Sequence, residues 1–103
     1  MKSQVEVAKV DQVKPGQSRL VRIKDQAIAL FNIEGTIFGL DNTCPHSRGP
    51  LVEGRVSGHK VRCPWHGAQF DITTGACLAG PATQAVKTYV VHVENGSVFI
   101  ELP

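Results

Sequence analysis

The chain of 103 residues has no apolar run approaching the roughly 20 residues that a bilayer span needs; runs such as 27–31 and 89–91 are far shorter. No membrane-spanning helix is expected. The amino-terminal stretch from Met1 shows no apolar signal region, so a cytoplasmic location is the expectation. Charge of one sign is scarce as well. Eleven Lys and Arg against nine Asp and Glu leave a net +2, and the cations are scattered among acids, which argues against a nucleic-acid partner. Cysteine is limited to three, an odd number without an export signal, so a disulfide framework is not expected and metal binding becomes the question. There is no Gly-x-Gly-x-x-Gly run, no nicotinamide or flavin fingerprint and no defensible Ser–His–acid or carboxylate pairing, so the chain by itself is not read as an enzyme. Internal repeats, low-complexity tracts and interdomain linkers are also absent, and this length suits one domain, 1–103, with one core.

Helical periodicity is missing, and what stands in its place is strand alternation. Val5 and Val7, then Val21 and Ile23 against Leu20, Arg22 and Lys24, alternate in the manner of half-buried strands. Pro15 and Gly16 mark a turn. Residues 28–33, the pair Glu34 and Gly35, and residues 36–40 read as a hairpin. A second hairpin is expected from 86–93, the pair Asn95 and Gly96, and 98–102, because Asn-Gly tolerates positive backbone angles. Both ends of the chain are therefore β-sheet, an all-β class.

The middle is different. Between 44 and 81 lie six of the ten glycines and four of the six prolines, with few apolar anchors: Leu51, Val52, Val56, Val61, Trp65, Phe70 and Ile72. So few anchors would not repay the entropy of ordering the segment. A β-sandwich base with an inserted loop-rich subdomain over about 42–81 is the simplest architecture, and that insertion needs a staple.

The insertion contains Cys44, Pro45 and His46, then sixteen residues, then Cys63, Pro64, Trp65 and His66. Thiolate and imidazole are the ligands that borderline and soft metals prefer, and two from each loop complete a four-ligand set that ties the loops together. Zinc is the first competitor. Its sites usually separate paired ligands by two to four residues, whereas one residue separates Cys44 from His46, and each loop supplies one ligand of each kind. That arrangement suits a two-iron cluster with both thiolates on one iron and both imidazoles on the other.

The pattern C-x-H, sixteen residues, C-x-x-H resembles the cluster signature of the Rieske family. Gly49, Pro50 and Leu51 behind the first pair, and Gly67, Phe70 and Asp71 behind the second, are similar to the soluble Rieske ferredoxins in particular, and the likeness spans essentially the whole chain. The resemblance implies one Rieske-type [2Fe–2S] cluster per chain, held by Cys44, His46, Cys63 and His66. It also implies an antiparallel β-sandwich base, a cluster at the tip of the insertion, and a third shielding loop that Gly80 and Pro81 fit.

Respiratory members of that family carry two further cysteines joined in a disulfide; Gly49 and Trp65 stand in their places. Those members also place a serine and a tyrosine hydroxyl near the cluster, where this chain has Ala68 and Phe70. Fewer hydrogen bonds to the cluster sulfurs favour the oxidised state, so a low potential is expected, near the lower end of the roughly −150 to +300 mV that Rieske centres span. By resemblance the chain is a free, monomeric one-electron carrier between a flavin-containing ferredoxin reductase and a terminal oxygenase. The alternative is the Rieske-like small subunit of an assimilatory nitrite reductase, a branch whose members often lack the ligands present here.

The remaining candidates have plain readings. His59, beside Gly58 in a turn, and His92, in a strand, lack ligand partners at suitable spacing. Cys77 reads as a small buried hydrophobe. Trp65 is either a shield over the cluster or an exposed docking aromatic. Arg48 and Arg62 flank the ligand loops and read chiefly as solvated side chains, although an acidic partner would suit them.

Overall fold

Alternation in the first half of the chain folds into a meander of β2 (Ser18–Ile23), β3 (Gln26–Ile33) and β4 (Thr36–Asp41), joined at its far edge by the short β9 (Thr88–Tyr89). The structure is a computed structural model that describes residues 3–45, 49–65, 67–80 and 84–102. The β3–β4 turn is built on Glu34 (φ 53°) and Gly35 (φ 98°). Both angles are positive, which matches the backbone twist of a two-residue hairpin loop. Asn95 (φ 50°) and Gly96 (φ 76°) do the same between β10 (Val91–Glu94) and β11 (Ser97–Leu102), the two expected hairpins thus closing on the expected pairs. β11 also pairs with β1 (Ser3–Lys9), giving a second sheet in the order β1-β11-β10.

β3 explains how the layers stack. Its residues 28–32 are all buried, an uninterrupted run that marks burial on both faces. Ile28 and Leu30 face one way, into a core with Ala8, Val13, Val21, Ile23, Ile37, Tyr89, Val98 and Ile100. Ala29 and Phe31 face the other way, with Leu40, into a separate core with Leu51, Val61, Phe70, Ile72 and Val86. The meander is therefore the middle layer. On its first face sits the terminal sheet, and on its second a small sheet of β5 (Arg55–Ser57), β6 (Lys60–Arg62), β7 (Gln69–Asp71) and β8 (Cys77–Ala79).

That small sheet is the chief addition to the sequence reading, which took the middle of the chain as loops. Strands of three residues carry too little alternation to register as a period. The expected single strand over 86–93 also divides. Thr88 and Tyr89 pair with β4, the chain leaves the ladder at Val90, and 91–94 pair with β11, so the segment passes from one sheet to the other. Among the described residues no helix is long and apolar enough to cross a membrane.

Candidate metal centre

Both cysteine-bearing loops are closed at the cysteine itself. In the first, Thr43 bridges Pro50 and the Cys44 amide donates to the Gly49 carbonyl at 3.0 Å. In the second, between β6 and β7, the Cys63 amide donates to the Ala68 carbonyl at 2.7 Å and the Gly67 amide to the Cys63 carbonyl at 3.0 Å. Gly67 takes a φ of +78°, a left-handed conformation that a side chain would strain. Each loop thus places a cysteine at its base, in the core, with the next ligand candidate two or three residues on. His46 and His66 lie outside the described residues, as do Arg48 and Pro81.

The two cysteines are 0% and 1% exposed and belong to one apolar cluster with Leu51, Val61, Phe70 and Ile72. The loops themselves touch. A Cβ placed on Gly49 would stand 2.9 Å from Cys63 Sγ and 3.0 Å from Trp65 Cγ, so the first loop's backbone lies directly against the second loop's thiol and indole. Only glycine fits there without displacing the thiol. None of the three cysteines is in a disulfide. The donor set therefore suits the implied cluster: two thiols, soft donors, buried in one core and presented by two closed loops in contact.

Support for these loops comes from three places. Asn42, 8% exposed, accepts from the Leu51 amide at 2.7 Å through its carbonyl and from the Val52 amide at 2.8 Å through its side chain, anchoring the far side of the first loop. Behind the second loop, Asp71 accepts from the Thr73 hydroxyl at 2.6 Å and the Thr73 amide at 2.8 Å. These hydrogen bonds, the hydroxyl's foremost, hold its carboxyl below the ordinary range. Gly75 then meets Val86: its carbonyl accepts from the Val86 amide at 2.9 Å, and a Cβ on Gly75 would lie 2.3 Å from the Val86 oxygen.

Other candidates fall away from this centre or into plainer roles. His59 occupies the β5–β6 turn, at the opposite end of β6 from Cys63, and its carbonyl accepts from the Ile72 amide at 2.7 Å. His92 sits on the terminal sheet with Nε2 3.1 Å from Glu101 Oε2. Cys77 is half-buried, not fully buried as expected, and packs at the edge of the ligand-side core. Trp65 is 59% exposed while its ring rests on Gly49. Ala68 and Phe70, 1% and 0% exposed, bring no hydroxyl to the loops. Sequence reasoning missed the Gly49 contact, because a glycine required by a neighbour 14 or 16 residues away looks the same in sequence as one required by a turn.

Comparison with known proteins agrees with this geometry. The family model described as Rieske [2Fe-2S] domain matches residues 3–90. The ferredoxin component of the naphthalene 1,2-dioxygenase system of Pseudomonas putida is 35% identical over 98 residues, covering 95% of this chain and 94% of its own length. Among solved structures, the Sphingomonas yanoikuyae B1 ferredoxin superimposes with a TM-score of 0.91 at 37% identity, over 98% of this chain and 100% of that one. A chain from the complex of reduced oxygenase and oxidized ferredoxin in carbazole 1,9a-dioxygenase reaches 0.88 at 28% identity, over 94% and 91%. Matched over residues 3–90 by that family model, and 35% identical to the naphthalene dioxygenase ferredoxin component over 95% of its length, the chain belongs to the Rieske [2Fe-2S] domain family.

Proposed function

We propose that this chain is the ferredoxin component of a ring-hydroxylating oxygenase system, taking one electron from a flavin-containing reductase and delivering it to a terminal oxygenase. The observation that supports this most directly is the pair of buried thiols at the bases of two loops in mutual contact, each followed in sequence by a histidine. Cys44 and Cys63 would hold one iron and His46 and His66 the other. When bound, the cluster supplies a one-electron couple.

The chain's own residues set the conditions of that transfer. Leu51, Val61, Phe70 and Ile72 keep water from the thiol side, and Gly49 leaves the space beside Cys63 that a side chain would fill. Ala68 and Phe70 contribute no hydroxyl hydrogen bonds, which keeps the potential low and suits delivery to oxygen-activating iron. A cytoplasmic location and a monomeric state complete the reading, since a carrier needs its cluster edge accessible to two partners in turn.

The test has two stages. Purified protein should be red-brown, with visible absorption bands and about two irons per chain. A colourless, zinc-loaded preparation overturns the reading. The holoprotein should then couple a flavin reductase to a ring-hydroxylating oxygenase in reconstitution. Failure with any oxygenase, together with stable assembly on a sirohaem subunit, would assign the chain to nitrite reduction instead.

A further inference from the structure

β5 and β6 carry like charges where a ladder is best served by unlike ones. Arg55 stands directly opposite Arg62, and Ser57 opposite Lys60. Directly opposed residues share a face, so Arg55, Lys60 and Arg62 gather on one side of the hairpin while Val56 and Val61 take the other. All three cations are exposed. Arg55 and Arg62 together line an open cleft of about 640 Å³ that reaches Cys63 and Trp65, and a smaller one of about 220 Å³ that they share with Lys60. The Arg62 guanidinium lies on the ligand loop: its Nε and Nη2 are each 3.0 Å from where a Cβ on Gly67 would stand. Gly67 directly follows His66.

Two acids stand on the same side. Glu53 lines the larger cleft, and Asp71 opposes Lys60 across the β6–β7 ladder. The Asp71 carboxylate is engaged by Thr73, and among the described residues neither acid forms an ion pair with the three cations. Elsewhere the chain does pair its charges, as with Lys9 and Glu6 at 2.7 Å. Opposed like charges weaken a ladder, so folding gives no reason for the Arg55–Arg62 rung. A surface that brings its own carboxylates would supply one.

We propose that the β5–β6 face, built by Arg55, Lys60 and Arg62 and ending at the exposed indole of Trp65, docks a carboxylate-bearing surface of the redox protein that exchanges electrons with this chain. The inference rests on the electron-carrier reading and specifies the chemistry of its partner. It also predicts that electron exchange at this edge favours anions and weakens with salt.

The test uses the reduced holoprotein in stopped flow against two one-electron oxidants, ferricyanide and tris(phenanthroline)cobalt(III). Each takes one electron from the cluster and is itself reduced by one. Raising ionic strength should slow the anionic oxidant and speed the cationic one. Arg55→Glu should slow ferricyanide at low salt, on the order of tenfold, and flatten its salt dependence, while Arg19→Glu on β2, the same change in net charge, should leave both near wild type. Poly-L-glutamate should protect the wild-type cluster from ferricyanide and fail to protect the Arg55→Glu protein. Equal behaviour of the two variants overturns the inference, and so does duplex DNA protecting better than poly-L-glutamate, which would make the face a nucleic-acid surface. A wild-type preparation with no reducible cluster defeats the carrier reading and this one with it; a reducible cluster indifferent to Arg55 defeats this one alone.

Discussion

The two faces of β3 separate a region that holds itself together from one that does not. On the Ile28 and Leu30 side, β1, β2 and β11, of six or seven residues each, close a core with β3 by long ladders and apolar alternation. On the Ala29 and Phe31 side, the four strands of the ligand sheet have three residues each, and their core is completed by three residues of the middle layer, Ala29, Phe31 and Leu40, and by Cys44 and Cys63. Ladders that short contribute few hydrogen bonds and little apolar area, too little to offset the ordering of long connections. On the proposed reading the ligand sheet therefore needs both the meander behind it and a metal centre in front of it, whereas the meander and the terminal sheet close their shared core without the metal.

That contrast can be broken most directly at the ligands. His66→Ala should abolish the visible absorbance and leave the ligand sheet open to proteolysis, while far-ultraviolet circular dichroism still reports a folded sandwich; retained colour would refute the ligand assignment. Next in size are paired core truncations. Phe70→Ala and Leu30→Ala, both fully buried, should each cost about 3–5 and 2–5 kcal/mol in denaturant unfolding, but only Phe70→Ala should lower the iron bound per folded chain. Equal iron loss from both would mean the two cores are not separate.

Gly49→Ala is a smaller perturbation with a sharper target. Its Cβ meets Cys63 Sγ and Trp65, so about 1–3 kcal/mol of strain should fall on the ligand loops and appear as reduced iron occupancy. Ala68→Ser should supply a hydroxyl and raise the potential by roughly 50 mV, the one-electron equivalent of one modest hydrogen bond; no shift would refute the link between the missing hydroxyl and the proposed low potential. The smallest effect is in pH. The Asp71 carboxyl titrates below its ordinary 3.8 because Thr73 donates to its charged form, so its contribution is complete above that value and is lost as pH falls through the lower folded value. Asp71→Asn should remove that part of the acid dependence of Tm below about pH 4 and leave the midpoint at neutral pH nearly level in its pH response.

Much of the fold was legible because it is written in local signals. Period-two alternation around Val21 and Ile23, and the pairs Glu34–Gly35 and Asn95–Gly96, act within a few residues and need no distant partner. The ligand candidates were legible for a related reason: cysteine and histidine at that spacing have few other uses. Missed were the features whose cause is remote in sequence. β5 to β8 are too short for periodicity, the break at Val90 exists because one strand serves two sheets, and the demand on Gly49 comes from Cys63 and Trp65. The run in β3 was legible as a hairpin strand and as too short for a membrane span, but not as buried on both faces, because two-sided burial is a property of what packs on each face.

By itself, the order of residues determined the β class, the hairpin turns and the four candidate ligands, since each depends on chemistry carried by neighbours along the chain. Tertiary structure alone decided that the two cysteines share one core, that Gly49 seals the first loop against the second, and that Arg55 faces Arg62 beside the ligand loop. The physical reason is the same in each case. Burial, close approach and charge opposition are relations between residues that the chain separates and only packing brings together.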